Sequence, residues 1–310
     1  MNHNKIYTLL FFVLSITFSH AQKEGYKEVQ LTNGNYDNRY ASYNKDGDQI
    51  IFESNRDGHW QIYVMNISGS RQKRLITSEY NDRRPTWHPF DNKIMFESDR
   101  KGYTELYSYN LDTRRLKRIP VPIKGNKLYG QYAPNGQELI FNHKVGDNNF
   151  NIYRCNVKGK RLKKMVDNAY ANLYPRYTSL GDAIVYFSRK HTKGEDDEIY
   201  SYNFTLKEDK RLTNWPTNNF AGTWSHAGNH IAYATSMENN RPEIYIMTKF
   251  GKSAHRVTFN DEGDTLPNWS PKDINLLVTG ERNGNQHICK ILLKEPLEGT
   301  LRPFVVGDKQ

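Results

Sequence analysis

Residue types able to do covalent or acid–base chemistry are present in this 310-residue chain, but they do not fall into a reactive spacing. The nearest approach to a hydrolase nucleophile elbow is Gly251-Lys252-Ser253-Ala254-His255, which ends in His where the motif has Gly and lacks the strand-to-helix turn that exposes the serine. The histidines beyond the first 21 residues are His59, His88, His143, His191, His226, His230, His255 and His287, and no helix is expected to bring two of them onto one zinc ion. Glu195-Asp196-Asp197-Glu198 offers oxygen ligands without the glycine-bracketed calcium loop, and it is read as a solvated loop. No catalytic residue, metal ligand or cofactor site is therefore assigned. What remains is recognition chemistry, carried by arginine, lysine and large aromatics.

Those residues are positioned by a repeat. An aromatic residue recurs as Tyr43, Trp87, Tyr132, Tyr177, Trp224 and Trp269, at spacings of 44 to 47 residues. Four positions later stand Gly47, Asp91, Gly136, Gly181, Gly228 and Asp273, types that suit tight turns needing positive φ or an Asx bond. Apolar runs around Phe52, Phe96, Phe141, Tyr186, Tyr233 and Val278 form second strands, and Ile62-Tyr63, Leu106-Tyr107, Ile152-Tyr153, Ile199-Tyr200, Ile244-Tyr245 and Ile288-Cys289 mark third strands. Basic fourth strands follow, as in Lys73-Arg74-Leu75-Ile76-Thr77. The reading is all-β: a six-bladed β-propeller of four-stranded antiparallel blades, one domain over residues 22–310. Val29-Gln30-Leu31-Thr32 and Leu301–Val306 both compete to complete the last blade.

The turns Trp87-His88-Pro89-Phe90-Asp91, Tyr132-Ala133-Pro134-Asn135-Gly136, Trp224-Ser225-His226-Ala227-Gly228 and Trp269-Ser270-Pro271-Lys272-Asp273 resemble the Trp-Ser-Pro-Asp-Gly turn of the TolB-like β-propellers, a WD40-like repeat family. The resemblance covers nearly the whole of residues 22–310 and implies the fold, with an envelope protein or peptide as partner. The same repeat occurs in propellers attached to peptidases and in sugar-acid lyases, so it does not name an activity. The resemblance implies a further N-terminal α/β domain in the family's namesake, whereas the repeats here begin almost at the expected cleavage point, and an appended peptidase is not expected.

In such a ring the first strand of each blade lines the channel. Ser42, Thr86, Gln131, Arg176, Thr223 and Asn268, each just before a marker aromatic, are the channel candidates, and the uniformly small residues before them (Ala41, Pro85, Gly130, Pro175, Gly222, Pro267) imply crowding between blades. The loops entering strand one share a face with those between strands two and three. On that entrance face the sequence places Arg39, Arg56, Arg83, Arg84, Arg100, Lys101, Arg176, Arg189 and Lys190, with Trp60, Tyr103 and Phe150 as aromatic contacts. Local pairing with Asp57, Asp82 or Asp99 is the competing use of these cations. The leading expectation is a non-enzymatic propeller that binds an envelope or periplasmic protein or peptide there. The rival is a lyase or lectin acting on an acidic oligosaccharide in the channel, with Arg176 against a carboxylate. A third is one component of a larger secretion or adhesion assembly.

Residues 1–21, with Lys5, an apolar stretch from Thr8 to Phe18 and Ser19-His20-Ala21, read as a signal peptide cleaved after Ala21, which gives a periplasmic or secreted protein that does not span the membrane after cleavage. Cleavage removes only Lys5 from a net charge of +10, so the exported chain stays basic. Export sets nucleic acid aside as a partner and leaves an acidic polysaccharide as the second class. Charged residues at 25% and a mean hydropathy of −0.85 exclude a multi-span membrane protein. Cys155 and Cys289 sit in third-strand registers of blades three and six, too far apart for a disulfide, and both are expected as buried free thiols.

Overall fold

The computed structural model describes residues 26–192, 195–237 and 240–293. The signal segment and Leu301–Val306 lie outside these residues. The described residues form six four-stranded antiparallel sheets and no helix. Blade one runs Asn38–Tyr43, Gln49–Ser54, Gln61–Asn66 and Lys73–Arg74, innermost to outermost, and the other blades repeat it.

The middle strands explain the architecture. Ile50, Ile51 and Phe52 are consecutive and all fully buried, which a sheet with one wet face does not allow. Each blade is covered on both faces by its neighbours, so the molecule has six cores between blades. Between blades one and two, Ile51, Ile62, Val64 and Ile76 meet Ile94, Phe96 and Tyr107. Between blades five and six, Ala232, Ala234, Ile244 and Ile246 meet Trp269, Leu276, Val278 and Cys289. Crowding between blades is visible at Gly130, where an added Cβ would stand 3.0 Å from side-chain atoms of Met95 and Leu106 in blade two.

Ring closure falls to the N-terminal candidate. Lys27–Gln30 pairs antiparallel with Asn285–Leu292 as the outer strand of blade six, with Val29 opposite Lys290, and the Leu31 N–H donates to the Ile288 carbonyl at 2.8 Å. The outer strands of the other blades present exposed basic residues, Arg115–Arg118 most fully, as an edge protected from further pairing requires.

Five of the six marker turns take positive φ at the expected residue, Gly47, Gly136, Gly181, Gly228 and Asp273. Asp91 does not, and there the His88 Nδ1 accepts the Phe90 and Asp91 N–H groups in place of the main-chain bond. Cys155 and Cys289 are free and buried in different cores, and burial pushes the Cys155 thiol up to about 12.

The acidic run divides instead of forming one solvated loop. Glu198 is fully buried at the head of a strand, paired with Arg211 at 2.6 Å and accepting from Thr213, because a charge at that position meets a cation from the outer strand. Gly251 of the elbow-like run packs a 3–4 turn against the Leu212 backbone, 2.4 Å from where its Cβ would stand, so its glycine serves blade packing.

Candidate functional site

Every inner strand carries the same irregularity. Its pairing slips by one residue, for example between Arg39/Ser42 and Glu53/Ile51, and the residue at the bulge has positive φ: Tyr40, Arg84, Tyr129, Tyr174, Ala221 and Leu266, between 48° and 58°. Each stands three residues before the marker aromatic. A one-residue bulge bends the strand and re-aims the side chains on either side of it, and here it turns these residues and the polar position two further on toward the axis.

The result is an axial cavity of about 360 Å³. Ser42, Thr86, Gln131, Arg176, Thr223 and Asn268 all line it, in agreement with the sequence reading. Tyr40, Arg84, Tyr129, Tyr174 and Leu266 form its inner end, and past the marker aromatics its wall continues onto Asn44, Lys45, His88, Pro134, Ser179, His226 and Pro271. The mouth therefore lies among the turns between strands one and two, on the face opposite the entrance side that the sequence singled out.

At the inner end the rings meet: Tyr129 contacts Tyr174 at 5.6 Å between centroids and Tyr40 at 6.5 Å, and Arg84 lies 4.5 Å from the Tyr129 centroid. Arg84 is neutralised by buried Glu97 at 2.6 Å. Burial opposes the Arg84 charge, but Glu97, Tyr40, Tyr129 and Glu53 outweigh it and hold the guanidinium above its ordinary value. Arg176 differs. It is only 7% exposed, stacks 3.6 Å above the Tyr174 centroid, and donates through Nη1 to the carbonyls of Pro175 at 2.9 Å and Tyr129 at 3.4 Å. No carboxylate lies within ion-pairing distance of it among the described residues.

The entrance-face cations divide in the same way. Arg39 is paired with buried Glu53 at 2.5 Å, Arg100 with buried Asp82 at 2.8 Å, Arg189 with Asp197 at 2.8 Å, and Lys190 with Asp209. Arg100 thus ties the exit of strand two to the start of strand one, and Arg56 does the same with neutral partners, donating to Asn38 Oδ1 at 2.9 Å and Gln72 Oε1 at 2.8 Å. Trp60 is half-buried under Arg39, 3.8 Å from its ring, with Arg83 at 5.7 Å. Around the two carboxylates Glu53 and Glu97 stand three guanidinium groups, Arg39, Arg83 and Arg84, and Arg83 is the one left over. Its buried Nε has no hydrogen-bond partner among the described residues, and burial lowers its pKa against the pull of Glu53, with Arg39 and Arg84 adding to the fall. Lys101 is exposed; Tyr103 and Phe150 are half-buried, with Lys127 Nζ 5.6 Å from the Tyr103 ring and Phe150 bridging to Ala171.

The tyrosines of the inner end escaped the sequence reading, although Tyr40, Tyr129 and Tyr174 recur at a constant offset from the marker aromatics. The bulge hides them, because simple alternation does not say which way a strand faces on either side of an inserted residue. His226 and His230, four apart, sit on an exposed turn and a buried strand, and among the described residues no three His, Cys, Asp or Glu side chains gather as metal donors.

The family described as the TolB beta propeller domain matches residues 24–195. No curated protein matches the chain. Among solved structures, TolB from Acinetobacter baumannii is similar with a TM-score of 0.63 at 20% identity, covering 84% of this chain, which spans 63% of that one. TolB of Agrobacterium tumefaciens, described as putative, gives 0.61 at 18% identity, over 68% of this chain and 74% of that one. An oligogalacturonate lyase in complex with manganese gives 0.62 at 17% identity, over 88% and 95%. At these identities the likeness is one of fold.

Proposed function

We propose, for a chain that belongs to the TolB β-propeller domain family, that it is an exported, non-enzymatic binding propeller of the periplasm that docks an envelope protein or peptide on the entrance face of blades one and two. The observation that carries this reading is the excess cation at Arg83, stacked beside Trp60 and Arg39 with no carboxylate of its own. Arginine and tryptophan in a part-desolvated cluster are the side chains on which interfaces concentrate their affinity, and a half-buried cation lacking a counter-ion gains from a partner's acidic group. Arg56, Lys101, Tyr103 and Phe150 extend that surface. Arg100 and Arg189 support it from within their ion pairs, because a carboxylate already held at 2.8 Å neutralises each. The lyase alternative finds less support, since the described residues offer no donor set for an ion such as the manganese of the similar lyase.

The test is crosslinked capture from envelope extract with residues 22–310, against Arg83→Glu and Trp60→Ala on the entrance face and Lys249→Glu on the opposite one. The same captured protein should be lost with the first two and retained with the third. Equal yield from all three overturns the reading. Formation of unsaturated products from oligogalacturonate would replace it with the lyase.

A further inference from the structure

The entrance face does not use the axial cavity, which opens at the other end of the inner strands. We propose that this cavity is a second site, independent of the entrance-face reading, and that it binds the carboxylate of a small ligand on Arg176, with the ligand body against Tyr129 and Tyr174.

The argument begins with cost. A guanidinium more than nine-tenths buried without a counter-ion is unfavourable, and carbonyl bonds with a ring face compensate only part of the lost hydration. Arg84 and Arg39, less deeply buried than Arg176, each have an acid: Arg84 has Glu97 and Arg39 has Glu53. Arg176 spends Nη1 on two main-chain carbonyls and otherwise meets the Tyr174 phenol, so every partner it has among the described residues is neutral. A planar fork of donors matches a carboxylate's two oxygens. Burial raises the Tyr174 phenol's pKa while Arg176 opposes it, so the ring beside the guanidinium stays neutral and does not act as its counter-ion.

The rest of the wall fits a small polar guest. Gln131 and Asn268 already use their carbonyl oxygens on the next blade, accepting from the Tyr177 N–H at 2.8 Å and the Tyr43 N–H at 3.4 Å, which leaves their amide N–H groups for a ligand. Ser42 Oγ lacks a partner among the described residues. Leu266 supplies an apolar patch, and about 360 Å³ is the scale of one sugar ring or a dipeptide. The carboxylate could belong to a uronic acid or to a peptide C-terminus. The chemistry at Arg176 is the same.

The experiment titrates residues 22–310 with D-galacturonate and with N-acetyl-alanyl-alanine, each beside its neutral counterpart, the methyl ester and the amide, by calorimetry and by the shift in thermal midpoint. At least one acid should bind and raise the midpoint while its neutral form does not, and which acid responds identifies the source. Arg176→Met should weaken that binding at least about tenfold without lowering the midpoint of the ligand-free protein, since it removes an uncompensated charge. Gln131→Glu is the second variant: it keeps an acceptor for Tyr177, puts a resident carboxylate in the same layer, and should also abolish binding. Failure of both acids to bind, equal binding of the neutral forms, or full affinity in both variants overturns the proposal. So does an Arg176→Met protein that is less stable yet binds as before, which makes the residue a structural prop.

Discussion

Around the channel, the joints from blade six through blade four differ from the two that follow in what holds the bulge. From blade six to one, Thr279 accepts the Tyr40 N–H; from one to two, Glu53 accepts that of Arg84; from two to three, Glu97 accepts that of Tyr129; from three to four, Asn142 accepts that of Tyr174. At the same register blades four and five carry Phe187 and Ala234, facing Ala221 and Leu266 with no side-chain acceptor. Yet φ is the same at all six bulges. The bulge is therefore set by the path of a strand running beside the axis, and the latch is an addition to it. A backbone that forms without the latch leaves the side chains there free to serve binding, and the cationic and aromatic ones collect on one side of the cavity.

The largest effect should come from removing a latch. Glu97→Ala orphans the Tyr129 N–H and leaves Arg84 buried without its acid, so urea denaturation should show a loss of about 3–5 kcal/mol. Phe187→Leu at the equivalent position of blade four should cost under about 1.5 kcal/mol. Similar losses at the two sites would break the comparison.

Buried charge is present in blade six as well, away from the bulge. Burial, opposed by Arg282, pushes the Asp264 carboxyl from 3.8 up to about 6. The folded protein then holds this proton more tightly than the unfolded chain, so the stability it contributes is complete below about 3.8 and is lost as pH rises through about 6. In Asp264→Asn that part of the decline, on the order of 3 kcal/mol, should vanish from denaturation midpoints measured between about pH 4 and pH 7.

The outer rim should show no sector difference. Gly159 and Gly251 both have positive φ, and each would place a Cβ 2.4 Å from a carbonyl oxygen, of Pro120 and Leu212 respectively. Substituting alanine should cost about 2 kcal/mol at each, measured by thermal unfolding, and unequal losses would extend the asymmetry beyond the channel. The smallest effect is expected from Ala234→Thr, which copies Thr279 and offers Leu266 an acceptor, for a change under about 1 kcal/mol in the same assay.

Legibility in the sequence followed repetition. Ser42, Thr86, Gln131, Arg176, Thr223 and Asn268 could be placed on the channel because a constant offset from six aromatics fixes a register. The entrance cations were harder. Arg83 and Arg100 read alike in the sequence, and only the fold shows that Asp82 is buried against one and that the other has no acid. Glu198 was misread for the same reason: an acidic run is solvated or buried according to where the strand begins, and Arg211 lies 13 residues further along the chain.

The amino-acid order alone determined six strand sets, their order around a ring and the isolation of the two thiols, because each blade is built from contacts within about 45 residues. Tertiary structure decided that Lys27–Gln30 closes the ring, which charges are neutralised, and at which end the cavity opens. Those outcomes depend on residues one blade apart or at opposite ends of the chain. Their energies are set by burial and by distance in space, which no local pattern encodes.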